Sequence, residues 1–226
     1  MFDVITRFDR PADDVVAGLG KFQSATLHES MGKRGALPSF IKPIWPESVV
    51  VGVALTVLAR PGDNLMLHKA VSLARPGDVL VVENGGFTEA GLWGEIITVA
   101  AMQRGIVGIV TNGAVRDTVP IGRLGFPVFS AGVSIKGTTK AVPGKINVAV
   151  SFGGVVVSPG DVIVGDNDGV VVVPRDEAPQ VLQAAAAKER AEAEIIRRIR
   201  AGESTMDLLN LKQPYAALNL KESDGG

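Results

Sequence analysis

The most constraining feature of this sequence is a series of short apolar runs that alternate with segments of helical character. The run VVVGVALTVLA at 49–59 is apolar at nearly every position, which is typical of a strand buried on both faces. The runs VLVVE at 79–83 and IVGIV at 106–110 repeat this character, and helix-like segments at 64–74 and 91–105 separate them. This alternation favours a layered α/β core with some parallel strand pairing.

Helical segments flank this core at both ends of the chain. From residue 146 the sequence reads as further strands joined by tight turns, and residues 175–200 read as a long charged helix with an apolar side. No linker or low-complexity stretch divides the chain. We therefore expect one domain over 1–226, with an N-terminal helical segment at about 1–35, a core at about 36–174 and a C-terminal helical segment at about 175–226.

The composition argues against several classes of function. The chain has no Cys, so it can form neither disulfides nor thiolate metal sites. A net charge of −1 without a basic run argues against nucleic-acid binding. The N-terminal sequence carries Asp and Arg where a signal peptide needs an apolar core, and no apolar run approaches the roughly 18 residues of a membrane span. We expect a cytoplasmic protein that binds neither nucleic acid nor membranes.

Two features that suggest metal binding have simpler interpretations. His28 and His68 are the only histidines, and they lack the spacing of a metal-binding pair. We expect structural or pocket-rim roles for both, with Lys33 as a further rim candidate. The acidic DNDG at 166–169 lacks the distant Glu of a calcium loop, so a type I′ hairpin turn is the better prediction.

The stretch NGAVRD at 112–117 places two charges directly after an apolar strand. In open α/β sheets, ligands collect at the carboxyl ends of the strands. Arg116 suits an anionic oxygen because its guanidinium is a planar fork, and Asp117 suits Mg²⁺, which usually takes only one or two carboxylates. The alternative is structural: Asp117 caps the following turn, and Arg116 pairs with a surface acid.

The segment NGGFTEAGLWGE at 84–95 is rich in glycine just before a helix-like stretch. It matches neither the dinucleotide-binding nor the Walker pattern. If the helix begins near Gly94, the free backbone N–H groups of its first turn can hold a carboxylate or phosphate. Those donors would come from Gly94, Glu95, Ile96 and Ile97. An ordinary loop is the alternative.

These motifs together resemble a known family. Residues 91–117 carry an acid, Glu95, then twenty residues, then Arg116-Asp117. This pattern resembles the signature of the divalent-metal pyruvate aldolases that cleave 4-hydroxy-4-methyl-2-oxoglutarate and 4-carboxy-4-hydroxy-2-oxoadipate. Further segments resemble the same family, at 26–36, 58–71, 125–138 and 158–174. The likeness covers roughly residues 15–212. The aldolases share a fold with the regulator of ribonuclease E activity, which implies a layered β/β/α, swivelling-domain-like core with N-terminal helices and a long C-terminal helix.

The resemblance implies a role for each residue of the motif. Asp117 would be the direct ligand of Mg²⁺ or Mn²⁺, and Arg116 would bind the 2-keto oxygen and the enolate that forms there. The backbone N–H groups of 94–97 would hold the pyruvyl carboxylate. Glu95 would contact a metal-bound water, as would Glu192 of an adjacent subunit, with Glu194 as the second choice. Glu95 departs from the aldolases, in which Asp is common at this position.

The family implies retro-aldol cleavage of a 4-hydroxy-2-oxo acid to pyruvate, oxaloacetate decarboxylation as a side activity, and a homotrimer or homohexamer. Two alternatives stay open. A non-enzymatic ribonuclease-binding regulator is disfavoured by Glu95, because the regulators lack that acid. Another lyase or hydratase on the same fold, acting on a different 2-oxo acid, is the second alternative.

Overall fold

The computed structural model describes residues 4–223, and its internal contacts divide the chain into two compact units, Met1–Ala185 and Ala186–Gly226. The helices and strands are, in chain order, α1 (Asp13–Leu19), α2 (Ser24–Ser30), β1 (Lys42–Pro43), β2 (Val50–Leu58), α3 (Leu65–Leu73), β3 (Asp78–Glu83), α4 (Glu95–Gln103), β4 (Gly108–Thr111), β5 (Ala114–Val115), α5 (Thr118–Leu124), β6 (Val128–Ser130), β7 (Gly132–Val133), β8 (Lys145–Ile146), β9 (Val150–Phe152), β10 (Val155–Val157), β11 (Val162–Asp166), β12 (Gly169–Val173), α6 (Ala178–Arg200), α7 (Thr205–Leu208) and α8 (Lys212–Ala216).

The first unit is organised around a mixed sheet whose strands follow the order β1-β6-β4-β3-β2-β11-β12. β2, β3, β4 and β6 pair in parallel, which confirms the parallel pairing expected from the alternation of strands and helices. β11 joins β2 in antiparallel orientation and continues into β12, and β8 pairs with β2 near its carboxyl end. β9 and β10 form a separate antiparallel hairpin.

The parallel strands are buried on both faces, as their continuous apolar runs predict. Along β3, Leu80 and Val82 face one way and belong to the core shared with α3, α4 and α5. Val79 and Val81 face the other way and pack in the core that includes Phe152 of the β9–β10 hairpin. The result is a layered α/β fold with helices on one face of the sheet and a hairpin on the other, which confirms the expected fold class.

A third core cluster lies where the terminal helices pack on β11 and β12. Leu19 of α1 and Leu27 of α2 are fully buried there against Val171 and Val173. The first turns of α6 add Val181 to the same cluster. The N-terminal helices and the long C-terminal helix expected from the sequence are therefore both present.

The second unit has no buried side chain within the described part of the chain, which ends at residue 223. Its part of α6 carries surface ion pairs, among them Arg197 with Glu194 at 2.7 Å. Ile196 and Ile199 are 48% and 40% exposed on the same helix. Among residues 4–223, no helix combines the length and the apolar character that crossing a bilayer requires.

The DNDG segment forms the expected β11–β12 hairpin, but the predicted type I′ turn is wrong. Asp166 pairs with Gly169, so Asn167 and Asp168 form a two-residue loop. Type I′ needs positive φ at both loop residues, and neither residue has it. The Asp166 carboxylate instead accepts hydrogen bonds from Asp168 N at 3.0 Å and from Ser24 N and Oγ at 2.7 Å each. It thus stabilises the turn and the start of α2.

Candidate active site

Arg116 and Asp117 follow β5 at the carboxyl-terminal side of the parallel strands. A short parallel ribbon fixes the backbone there. Residues 91–93 run beside β5, with Leu92 N donating to the Ala114 carbonyl at 2.9 Å and Arg116 N donating to the Trp93 carbonyl at 2.8 Å. β7 pairs with the other side of β5. The ribbon therefore brings Arg116 directly beside the segment that leads into α4.

The start of α4 is held by a chain of hydrogen bonds. The helix begins at Glu95, with Gly94 as its N-cap residue, as the sequence predicts. Trp93 Nε1 donates to Thr98 Oγ1 at 2.7 Å, and Thr98 Oγ1 donates to the Gly94 carbonyl at 2.9 Å. Trp93 is fully buried and stacks on Phe126 with ring centroids 6.1 Å apart. The first turn of α4 is therefore fixed from the core side.

Asp117 points back to α4 instead of capping α5. Its Oδ2 accepts a hydrogen bond from Glu95 N at 3.0 Å, and its side chain makes no capping bond to α5. The capping interpretation of Asp117 is therefore wrong. Asp117 has φ 57°, a left-handed conformation that is uncommon for residues other than Gly and that clusters at functional sites.

Gly94 makes this approach possible. A Cβ at Gly94 would lie 2.5 Å from Asp117 Oδ2 and 3.1 Å from Arg116 Nε, so any side chain there would occupy the place of the carboxylate. A Cβ added at Gly91 would lie 2.9 Å from Arg116 Cβ, so a side chain at position 91 would collide with the arginine. The two glycines let the Arg116-Asp117 pair pack against the backbone of 91–95.

A small pocket of about 90 Å³ opens beside this pair. It is lined by Asn64, His68, Gly91, Leu92, Gly94, Ile96, Ile97, Arg116 and Lys140. Arg116 is 43% exposed, and its Nε lies 3.7 Å from Asp117 Oδ2, so its guanidinium keeps most of its donors for another group. The structure thus collects Gly94, Ile96, Ile97 and Arg116 at one pocket, and the hydrogen bond from Glu95 N places Asp117 beside it.

The first turn of α4 presents free backbone donors to this pocket. Within residues 4–223, the N–H groups of Gly94, Ile96 and Ile97 have no acceptor. The N–H of Glu95 is the exception, because it donates to Asp117. Three of the four donors expected from the sequence are therefore open to a ligand, and the Glu95 side chain is exposed.

Two pocket residues, Asn64 and Lys140, escape the sequence reasoning. Asn64 Nδ2 donates to the Leu92 carbonyl at 3.0 Å, and its buried Oδ1 has no partner in the described chain. Lys140 belongs to the stretch GTTKAVPG, which matches no motif. Only the spatial closure of the 139–142 loop onto the turn at Asp63 reveals it.

The three residues expected at the pocket rim, His28, Lys33 and His68, lie in different places in the structure. His68 lines the pocket with Arg116, and partial burial together with the nearby charge of Lys140 lowers the pKa of His68. His28 lies in another pocket beside α2, with its Nδ1 2.9 Å from the Arg34 carbonyl oxygen. Lys33 is exposed in the turn after α2 with φ 64°.

Glu192 lies on the part of α6 that belongs to the second unit. Its side chain is 44% exposed, with Oε1 2.8 Å from Lys188 Nζ. Glu194, the second choice, is bonded to Arg197, and that bond lowers the pKa of Glu194. A role for Glu192 at the site of a neighbouring subunit stays a prediction.

Comparison with known proteins identifies the family. The family model RraA-like: Aldolase/RraA matches residues 23–172, which contain the sheet and the pocket. The chain belongs to the RraA-like family. A protein of Halalkalibacterium halodurans, named provisionally as a 4-hydroxy-4-methyl-2-oxoglutarate aldolase, is 42% identical to this RraA-like chain over 172 residues, which cover 73% of the chain and 82% of the relative. The family resemblance inferred from the sequence is confirmed.

Solved structures of other proteins share the fold. An uncharacterized protein from Pseudomonas syringae pv. tomato is 30% identical with a TM-score of 0.78, covering 89% of this chain and 99% of its own. Streptomyces coelicolor RraAS2, described as an unusual member of the RNase ES inhibitor RraA family, is 29% identical with a TM-score of 0.74, covering 85% and 99%. Together the relatives support an aldolase or RraA-like role.

Proposed function

We propose that this RraA-like protein is a divalent-metal-dependent aldolase that releases pyruvate from a 4-hydroxy-2-oxo diacid or triacid. The substrate would be 4-carboxy-4-hydroxy-2-oxoadipate or 4-hydroxy-4-methyl-2-oxoglutarate, as in aromatic-acid catabolism. One observation carries the proposal: Arg116 and the first turn of α4 line one pocket, and Asp117 lies beside it, bonded to Glu95 N. An aldolase name on a relative 42% identical supports the same reaction class.

The pyruvyl end of the substrate would be held by the start of α4. The free N–H groups of Gly94, Ile96 and Ile97 favour a carboxylate, because they lie at the positive end of the helix dipole. Arg116 would then reach the adjacent 2-keto oxygen. Ile97 is buried, so the carboxylate would lie against a rigid wall.

The residues beside the pocket fit a magnesium or manganese ion. Asp117 Oδ1 has no hydrogen-bond donor within the described chain, so it is free to be a direct ligand while Oδ2 accepts from Glu95 N. Among residues 4–223, no group of three or more His, Asp or Glu side chains is placed to hold a metal ion, so Asp117 would be the one direct carboxylate ligand from this chain. Glu95 and Glu192 would contact such an ion through water.

The chemistry assigns a distinct task to each side chain. A bound divalent ion would supply Lewis-acid stabilisation of the negative charge on the substrate's C2 oxygen. The Arg116 guanidinium stabilises that same charge as the C3–C4 bond breaks and its electron pair moves into the enolate. A water held by Glu95 and Glu192 would accept the C4 hydroxyl proton as the C4 carbonyl forms, and return of a proton to C3 of the enolate would complete pyruvate. The same enolate forms when oxaloacetate loses CO₂, so oxaloacetate decarboxylation is expected as a side activity.

The surface around the pocket supports a homo-oligomer. On α4, Ile96 is 81% exposed, and Val99 and Met102 share its side of the helix at 44% and 40%. Val119 and Ile135, 62% and 93% exposed, add apolar area on elements near the site. Exposed apolar patches of this kind mark interaction surfaces, and a second copy of the chain would bring Glu192 to the site. We expect a trimer or hexamer on light scattering; a catalytically competent monomer would contradict this.

The proposal is tested by pyruvate release from both candidate substrates, followed with lactate dehydrogenase. Activity should disappear in EDTA and return with Mg²⁺ or Mn²⁺. Full activity in chelator would overturn the metal dependence and point to a Schiff-base lysine. No pyruvate from either substrate, with capture of a ribonuclease in a pull-down, would favour the regulator function that the name of RraAS2 suggests.

A further inference from the structure

A second cavity, of about 340 Å³, lies at the amino end of β2, away from the pocket beside Arg116. Three segments enclose it: residues 20–23 between α1 and α2, residues 47–49 before β2, and residues 164–168 at the end of β11. Gly165 pairs with Val50, so the second and third segments leave the sheet side by side. No residue between 4 and 223 lines both this cavity and the pocket beside Arg116, which makes it a candidate for a separate site.

Hydrogen bonds from side chains hold the three segments of this cavity together. The Asp166 carboxylate accepts from Ser24 N and Ser24 Oγ at 2.7 Å each, which ties the end of β11 to the start of α2. Asn167 Oδ1 accepts from Glu47 N at 3.1 Å, which ties the β11–β12 turn to the segment before β2. The walls are therefore fixed before a ligand arrives, and binding loses less free energy to their ordering.

The cavity is rich in carboxylates, two of which the protein leaves open. Glu47, Asp166 and Asp168 line it, and the one cation among its lining residues within 4–223 is Lys21. Asp166 is already engaged, but within residues 4–223 the carboxylates of Glu47 and Asp168 make no ion pair and no hydrogen bond. Lys42 Nζ donates at 2.5 Å to the backbone carbonyl of Asp168 and not to its carboxylate. Two carboxylates are therefore available to a cationic ligand.

Ser48 is an independent sign that a ligand binds in this cavity. It lines the cavity and is 0% exposed, and its Oγ has no hydrogen-bond partner in the described chain. A buried hydroxyl without a partner destabilises the folded state, so its position beside two open carboxylates indicates a ligand group that completes it. Among residues 4–223, no group of three or more acidic or His side chains is placed to hold a metal ion, which favours an organic cation. Phe22 and Val49 provide apolar wall for a hydrocarbon chain.

We propose that this cavity is a binding site for a small aliphatic amine in its ammonium form. The N–H groups of the ligand would donate to Glu47, Asp168 and Ser48 Oγ. Its methylene chain would lie against Phe22 and Val49. The proposed reaction uses none of these residues, so the site is independent of the aldolase assignment.

The test is calorimetry on the intact protein with 1,4-diaminobutane, and with 1,4-butanediol as its uncharged counterpart of equal chain length. The wild type should bind the diamine at least tenfold more tightly than the diol. Glu47→Gln and Asp168→Asn should each weaken diamine binding at least fivefold and keep the wild-type melting temperature, because both side chains are exposed. Ser48→Ala should weaken diamine binding at least threefold, yet raise the melting temperature by about 2–4 °C, because it removes a buried hydroxyl without a partner.

Glu189→Gln is the matched control. It removes an exposed carboxylate of α6 that makes no ion pair within residues 4–223, so diamine affinity should stay within twofold of wild type. Equal binding of the diamine and the diol, or unchanged diamine affinity in Glu47→Gln or in Ser48→Ala, would overturn the inference. Tighter binding of Nα-acetyl-lysinamide than of the diamine would identify the ligand as a lysine of a partner protein, and would overturn the assignment to a small amine.

Discussion

The same turn sequence, ARPGD, occurs at opposite ends of the parallel sheet. Residues 59–63 follow β2 at its carboxyl end, and residues 74–78 precede β3 at its amino end. Both turns close in the same way, with the Asp N–H donating to the Arg carbonyl at 3.1 Å for Asp63 and 3.2 Å for Asp78. Both aspartates are buried, 3% and 0% exposed. Local sequence therefore gives the two turns the same structure.

The surroundings of the two turns give their aspartates, Asp78 and Asp63, different roles. Asp78 accepts from Arg75 N at 2.8 Å and pairs with Arg10 at 2.6 Å, so its charge is balanced within the protein. Asp63 instead uses Oδ2 to fix the 139–142 loop, which carries Lys140, and Oδ1 to accept from Leu65 N. Asp78 at the amino end of the sheet is thus paired for stability, whereas Asp63 at the carboxyl end fixes a loop that contributes to the candidate pocket.

The largest expected effect is a loss of catalytic activity, caused by substitutions at the carboxyl end of the sheet. Arg116→Ala and Asp117→Ala should each reduce pyruvate release at least tenfold, and the arginine variant by about 10²–10³, because it loses a preorganised donor to the developing enolate oxygen. Both side chains are about 40% exposed, so the free energy of unfolding should hardly change in Arg116→Ala. Asp117→Ala also loses the hydrogen bond from Glu95 N and places Ala at φ 57°, so its free energy of unfolding should fall by about 1–3 kcal/mol. Steady-state kinetics and urea unfolding of the same preparations measure the two effects.

Arg75→Ala is the control, because it removes an arginine from the opposite, amino end of the sheet. Arg75 is exposed, and its backbone N–H rather than its side chain bonds Asp78, so both activity and stability should remain near wild type. Near-normal pyruvate release in Arg116→Ala would end the assignment of the carboxyl end as the active site.

The next effect is at the amino end, on stability alone. Asp78→Asn should lower the free energy of unfolding by about 3 kcal/mol, because it leaves Arg10 without its buried partner. Arg10 also lies over the Phe8 ring at 4.6 Å, so its side chain cannot simply swing into water without losing that contact. Urea unfolding checks the loss, and kcat of the folded variant should stay within twofold of wild type. A selective loss of activity in a stably folded variant would contradict the division between the two ends.

Most of the fold could be predicted from the sequence because the strands are buried on both faces. The run at 49–59 gives β2, and the helix expected after Gly94 begins at Glu95. The turn type of DNDG was wrong, because the Asp166 carboxylate is engaged by Ser24, 142 residues away in sequence, and by its own loop. Sequence spacing cannot reveal a partner that the tertiary fold brings in from such a distance.

The residues of the candidate site also differ in how far they could be predicted from the sequence. Glu95 lies at the start of α4 and Arg116 and Asp117 follow β5. Their association was inferred because the spacing of the three residues resembles the family's signature. Lys140 reaches the pocket only because Asp63, 77 residues earlier, binds both sides of its loop. Glu192 was inferred from the family alone, since nothing in its surface pair with Lys188 indicates a catalytic role.

The smallest expected effect is a pH-dependent change in stability, which distinguishes Asp63 from Asp78. Burial would raise the pKa of Asp63, but four hydrogen bonds, three from backbone N–H groups and one from the Thr139 hydroxyl, outweigh it and lower that pKa to about 2. A depressed pKa stabilises the folded state fully above the unfolded value of about 4, and this contribution is lost as the pH falls towards 2.

Asp63→Asn should therefore lower the melting temperature by about 2–8 °C at pH 7, from a loss of about 1–2 kcal/mol in charge-assisted hydrogen bonds. The difference between wild type and variant should be constant above about pH 5 and shrink between about pH 4 and pH 2, because only the wild type has this carboxylate to protonate. Other acids titrate in both proteins, so the difference isolates Asp63. A difference in stability between wild type and Asp63→Asn that does not shrink below about pH 4 would contradict the role of the ionised Asp63 carboxylate in fixing the 139–142 loop.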